Sequence, residues 1–161
     1  MKKFAYLLAL ALPMIAFTSC HDDDKDLPNV DYNITISGAE FSDGQIYVAQ
    51  GDTLKIDAVT VVNNEQGKAA SIPYANYYWD GYFIGQSVVA PYAFEIEITD
   101  KVPVGLHALE ITSPVYAVDK AVAFGVIRYK VNVVEAEEDM PEGGTVSHRV
   151  TPGLQETEPA Q

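Results

Sequence analysis

Cysteine is nearly absent from this 161-residue chain. Cys20 is the only one, so no disulfide can close within it. Basic residues are scarce as well: ten Lys and Arg stand against 23 Asp and Glu, a formal net charge of −13. A surface of that sign repels phosphate backbones, so no nucleic acid is expected as a partner. Histidine occurs at His21, His107 and His148 only, with no spacing that would build a metal site. There is no glycine-rich phosphate loop, no paired-histidine motif and no Ser/His/Asp signature. No catalytic residue, metal or cofactor is therefore expected, and the chain is read as no enzyme. Nor is any apolar run long enough to cross a bilayer, the longest being Phe4 to Phe17, 14 residues interrupted only by Pro13.

What is present begins at the N-terminus. Met1-Lys2-Lys3 ahead of that apolar run is the pattern of a cleaved export signal over residues 1–19. Phe17-Thr18-Ser19-Cys20 then resembles the bacterial lipobox, with Phe17 in the place usually held by Leu. The resemblance implies that the Cys20 sulfur carries a diacylglycerol and, with palmitate-like chains, becomes the mature N-terminus, so that the membrane is a partner through its lipid. Two or three acyl chains hold a protein on a bilayer far more firmly than one. The acidic run His21-Asp22-Asp23-Asp24-Lys25-Asp26 looks like the surface-export signal of outer-membrane lipoproteins in certain Gram-negative anaerobes. It implies lipid anchoring in the outer membrane, facing the cell exterior. A calcium loop of the EF-hand type needs alternating acids and a glycine at fixed positions, and this run has neither. Residues 20–30 are expected to be an acidic tether.

The 48% hydrophobic content is enough for one core, which the pattern places in residues 31–135. Ala75, Tyr77 and Trp79 alternate with Asn76 and Tyr78, and Asp80-Gly81 supplies the positive φ of a tight reversal into Tyr82–Ser87. Trp79 is expected to point into the core as a structural residue. Around this hairpin, Tyr32–Ser37 is expected as an edge strand, and Leu54, Ile56 and Ala58 as the inner face of a strand over Thr53–Val62. Val88–Tyr92 is limited to an edge by Pro91. Phe94, Ile96 and Ile98 alternate with Glu95 and Glu97, and His107, Leu109 and Ile111 share one face of the next strand. Ala121–Val134 is the last strand, with a bend allowed at Gly125. Short strands with turns between them and one large indole on the third predict an immunoglobulin-like, Greek-key β-sandwich of about seven strands. Residues 136–161, rich in acids, Gly and Pro, are expected to be a disordered acidic tail.

Tyr78-Trp79-Asp80-Gly81, Phe83-Ile84-Gly85, Ala90-Pro91-Tyr92-Ala93-Phe94 and Gly105-Leu106-His107-Ala108-Leu109 are similar, in this order, to motifs of bacterial Ig-like domains attached to secreted glycoside hydrolases and surface proteins. His107 stands where the tyrosine corner of such domains has its Tyr, which implies a structural imidazole bonded to nearby backbone. Strand alternation carried through the hairpin puts Tyr78 and Tyr82 beside Asn76 as a platform on which a sugar ring stacks. The expected function is a non-catalytic, surface-anchored binding or assembly module, with a glycan or a surface protein as partner. The alternative is a structural subunit of a surface complex, adhesin-like or pilus-like, that offers Tyr32–Ser37 or Val88–Tyr92 for strand addition.

Overall fold

The computed structural model describes residues 26–156. The signal segment and Cys20 lie outside them. Twelve strands follow one another: β1 (Val30–Ser37), β2 (Glu40–Ser42), β3 (Gln45–Ala49), β4 (Thr53–Asn63), β5 (Ala70–Ser71), β6 (Ala75–Trp79), β7 (Tyr82–Ser87), β8 (Phe94–Glu97), β9 (Gly105–Ala117), β10 (Ala123–Val134), β11 (Val146–Val150) and β12 (Gly153–Glu156). They form two sheets. The smaller runs β11-β1-β4-β8, and the larger runs β2-β3-β10-β9-β6-β7 with β12 added to β10 and β5 to β9. Among β1, β4 and β6 to β10, the first, second and fifth share one sheet, and the seventh, sixth, third and fourth line up in the other. This is the immunoglobulin arrangement, with the B strand between A and E and the G-F-C-C′ strands opposite. β3 lies parallel to β10, and every other pairing is antiparallel.

The inner faces follow from alternation. Val30, Tyr32, Ile34 and Ile36 of β1 are buried, as are Tyr129, Val131 and Val133 of β10. In β4 the alternation slips. Thr35 pairs with Ala58 but Ile36 with Ile56, so Asp57 is bulged and Val59, not Ala58, turns inward. Trp79 packs against this core while remaining partly exposed, and Tyr77 is the ring that is fully buried. The Tyr77 ring stacks on Phe94 from the opposite sheet at 4.4 Å and 8°. Phe94 comes that close because Gly85 has no side chain: a Cβ there would lie 2.5 Å from the Phe94 ring. Gly125 serves a similar end. Its strand pairs with β9 without a bulge, and the missing side chain leaves room for the Tyr32 hydroxyl, which shares a 2.6 Å hydrogen bond with Ser113. Burial pushes the Tyr32 phenol up to about 12 against the pull of that hydrogen bond.

Three expectations are corrected. The tail is not disordered over its described length: β11 pairs with β1 and β12 with β10, and only the stretch between β10 and β11 has the acidic, strand-poor character expected. Val146, His148 and Val150 are half-buried between exposed Ser147 and Arg149, and Val150 and Leu154 pack on the core. Asp31 fastens the segment, accepting from Arg149 Nε at 2.6 Å and from Thr151 at 2.8 Å. These bonds offset the ordering entropy that the composition alone would leave unopposed. β1 is consequently an interior strand and no edge. Val88–Tyr92, finally, is a turn around a cis Ala90–Pro91 peptide and not a strand. Its Pro91 carbonyl accepts from the Val59 amide, and the Tyr92 hydroxyl donates to the Ile72 carbonyl at 2.6 Å.

Candidate functional site

The hairpin of β6 and β7 carries the candidate site. Asp80 and Gly81 have φ of 49° and 82°, the two positive values of a two-residue reversal. Such a turn sets Trp79 opposite Tyr82 and Tyr78 opposite Phe83, and directly paired residues share a face. Tyr82 is therefore on the Trp79 side and not on the Tyr78 side, so the expected platform of Asn76, Tyr78 and Tyr82 is not assembled. The outer face instead carries Tyr78 edge-on to Phe83 at 5.6 Å, beside Asn76, which accepts from Gln86 at 2.8 Å. Tyr82 stands alone at the rim, 78% exposed, and Phe83 is 59% exposed. Phe83 was missed because alternation was counted straight through the turn, and a pairing register counted backward from Asp80-Gly81 would have found it.

Behind this surface the hairpin is clasped to β9. Asp80 Oδ1 accepts from the Ala108 amide at 2.8 Å, and Oδ2 lies 2.6 Å from His107 Nδ1. His107 Nε2 lies 2.7 Å from the Pro103 carbonyl, and the imidazole stacks on Trp79 at 5.2 Å. Both ring nitrogens thus face acceptors, and only an imidazolium donates to both. Partial burial works against charge on each partner. Burial is the largest single influence, and only the mutual hydrogen bond, the backbone bonds to Pro103 and Ala108 and the charge attraction together exceed it, so His107 is raised above its ordinary value and Asp80 lowered below its own. His107 thus lies against nearby backbone at Pro103. Its carboxylate partner and its stacking on the indole were not foreseen.

The two ends of the sandwich differ. Asp26 lies at one of them, its carbonyl accepting from the Ala121 amide, and β12 ends there too, with Glu156 opposite Ala123. The Asp80 turn is held to Ala108, which pairs with Lys130, so it lies seven residues further along β10, roughly 23 Å at about 3.3 Å per residue. At that far end Val104 and Leu106 are exposed, like Tyr82 and Phe83.

Away from the hairpin, an open cleft of about 680 Å³ separates β2 and β4 from the segment before β11, and Glu40, Asp52, Glu137 and Glu142 line it. Among the described residues no group of three or more His, Cys, Asp or Glu is arranged to hold a metal ion. His148 is in the sheet, stacked on Phe41 at 5.0 Å and 2.8 Å from the Tyr129 hydroxyl, and burial lowers its pKa.

The fold and this hairpin define an all-β, immunoglobulin-like sandwich module. No family model matches the chain, and no curated protein matches it. Among solved structures it is similar to the fibronectin(III)-like modules of Clostridium thermocellum CbhA, at 22% identity and a TM-score of 0.39, covering 62% of this chain and 96% of that one.

Proposed function

We propose that this chain is a non-catalytic lipoprotein, tethered through Cys20 to the outer membrane and facing the cell exterior, whose far end binds a glycan or a surface partner. The observation that carries the reading is the polarity of the sandwich. Both ends of the described chain leave at the Asp26 end, and Tyr82, Phe83, Val104 and Leu106 are exposed at the other, while Tyr116 and Val118 are exposed near the first. A lipid on Cys20 holds the first end near the bilayer and turns the second outward. Exposed aromatic side chains such as Tyr82 and Phe83 are the type enriched at contact surfaces. The clasp between Asp80 and His107 fixes the turn beneath them, so little conformational freedom is lost on binding.

Two experiments test this. Joint Tyr82→Ala and Phe83→Ala substitution is expected to leave the melting temperature nearly unchanged and to weaken retention on polysaccharide or on cells at least about tenfold, the equivalent of about 1.4 kcal/mol. Unchanged retention refutes the tip as the binding surface. Cys20→Ser is expected to move the protein from the membrane fraction into the soluble one, and a variant that stays with the membrane refutes the anchor.

A further inference from the structure

We propose that the free edge of β7 takes up one extended segment of a partner protein, apolar at alternate positions and basic between them. This deepens the binding reading above, and its test uses neither the lipid nor the tip-to-glycan contact, so either idea can fail alone.

Six strands have a neighbour on one side only: β5, with two residues, β12, with four including Glu156, and the four that end the sheets. β2 has three residues, β8 has four and carries Glu95 and Glu97, and β11 carries His148 and Arg149. Shortness and charge are the usual protections of an edge against pairing. β7, Tyr82-Phe83-Ile84-Gly85-Gln86-Ser87, has six residues with no charge and no proline. Its exposed apolar surface continues into Val88 and Val89. The C-terminal strands of this same chain cover β1 and β10 and do not reach β7. A strand with one neighbour directs half of its N–H and C=O groups outward, ready for a second.

Beneath that edge the sheets part. A cavity of about 310 Å³ opens there, lined by Phe94, Ile96 and Ile98, by Trp79 and Ile84 of the larger sheet, and by Val102 of the connection from β8 to β9. Ile84 is the bulged residue of β7, since Tyr77 pairs with Gly85 but Tyr78 with Phe83. A strand laid beside β7 sends every second side chain toward this space and the others to solvent. The volume is that of roughly ten waters, room for two or three aliphatic groups.

Charge selects the occupant. Glu95 and Glu97 line the rim, and one lysine, Lys55, answers Glu95 at 3.4 Å. Those carboxylates lie across the sandwich from the outward side chains of an added strand, so it is the net charge of −13 that favours basic residues between the apolar ones. A second copy of this chain suits the edge less well: each carries −13, and antiparallel pairing of β7 with itself points the two Asp26 ends in opposite directions, away from one shared membrane.

The test uses a synthetic octapeptide of alternating valine and lysine against the full chain, read by amide hydrogen exchange. The expected result is a dissociation constant below about 1 mM, with the outward-facing amides among 82–87 slowed at least about tenfold at saturating peptide and those of β11 unchanged. Ile84→Lys is expected to weaken binding at least tenfold. The exposed Glu97→Lys, which leaves the fold untouched, is expected to weaken it about threefold in low salt. No protection at millimolar peptide overturns the proposal. So does equal binding of peptides with serine for valine or glutamate for lysine, protection at a different edge, or sedimentation of the free chain as a dimer that Ile84→Lys dissociates.

Discussion

Asp80→Asn separates charge from shape at the clasp. Asparagine tolerates the positive φ of 49° at this position and still accepts from the Ala108 amide, so the turn persists. What is lost is the negative partner of His107. In the native chain the folded pKa of His107 lies above its unfolded value of about 6.5, so the stabilisation is complete below about pH 6.5 and disappears as pH climbs through the folded value. The lowered Asp80 sets the acid limit: its contribution is present above about pH 4 and lost as pH falls through the folded value. A hydrogen bond between charged groups contributes about 1.5–3 kcal/mol. The Asp80 side chain is 42% exposed, and solvent screening reduces the figure to about 1 kcal/mol. For a domain of this size that corresponds to roughly 4 °C in melting temperature. Calorimetry of both proteins from about pH 5.5 to pH 9 is the assay. The variant is expected to melt lower by that amount at about pH 6, with the two curves meeting at the alkaline end. His148 titrates in both proteins and cancels in the difference. Parallel curves across the range refute the imidazolium bound to two acceptors.

Three further outcomes follow from packing. Ending the chain after Glu135 removes β11 and β12 with the half-buried Val146, Val150 and Leu154; it is expected to cost about 3 kcal/mol and to expose β1 and β10 to self-association, both visible by calorimetry and size exclusion. Gly125→Ala sets a Cβ 2.5 Å from the Tyr32 hydroxyl and is expected to cost about 1–3 kcal/mol in denaturant melts, with part regained when Tyr32→Phe removes that oxygen. Burial holds His148 neutral, its folded pKa lying below about 6.5. The stabilisation present above that value is lost as pH falls through the folded one, and limited proteolysis at about pH 5 is expected to cut first at β11.

The layered architecture was legible because it rests on strict alternation. Tyr32–Ser37, Phe94–Ile98 and Tyr129–Val133 each bury one face, and Asp80-Gly81 names its own turn. What escaped depends on counting across a break. The bulge at Asp57 hands the inward place from Ala58 to Val59, and the two-residue turn trades Tyr82 for Phe83 on the outer face. The tail was judged by composition, and the acids around Glu137 hid the alternation of Val146, His148 and Val150, which alone would have marked a strand. His107 was placed by its position in the tyrosine-corner motif, but its partner Asp80 lies 27 residues away and no local pattern links them.

Cys20 is the only thiol of the chain, and this permits a direct count. Tyr82→Cys places a second sulfur at a position 78% exposed, at the end of the sandwich opposite Asp26. Intact cells are treated with a membrane-impermeant maleimide, and the protein recovered from the membrane fraction is weighed. An acylated Cys20 and an outward tip predict one label on each chain. Two labels mean that the Cys20 sulfur is free, and none means that the tip does not face the exterior; either result contradicts the tethered, outward-facing module.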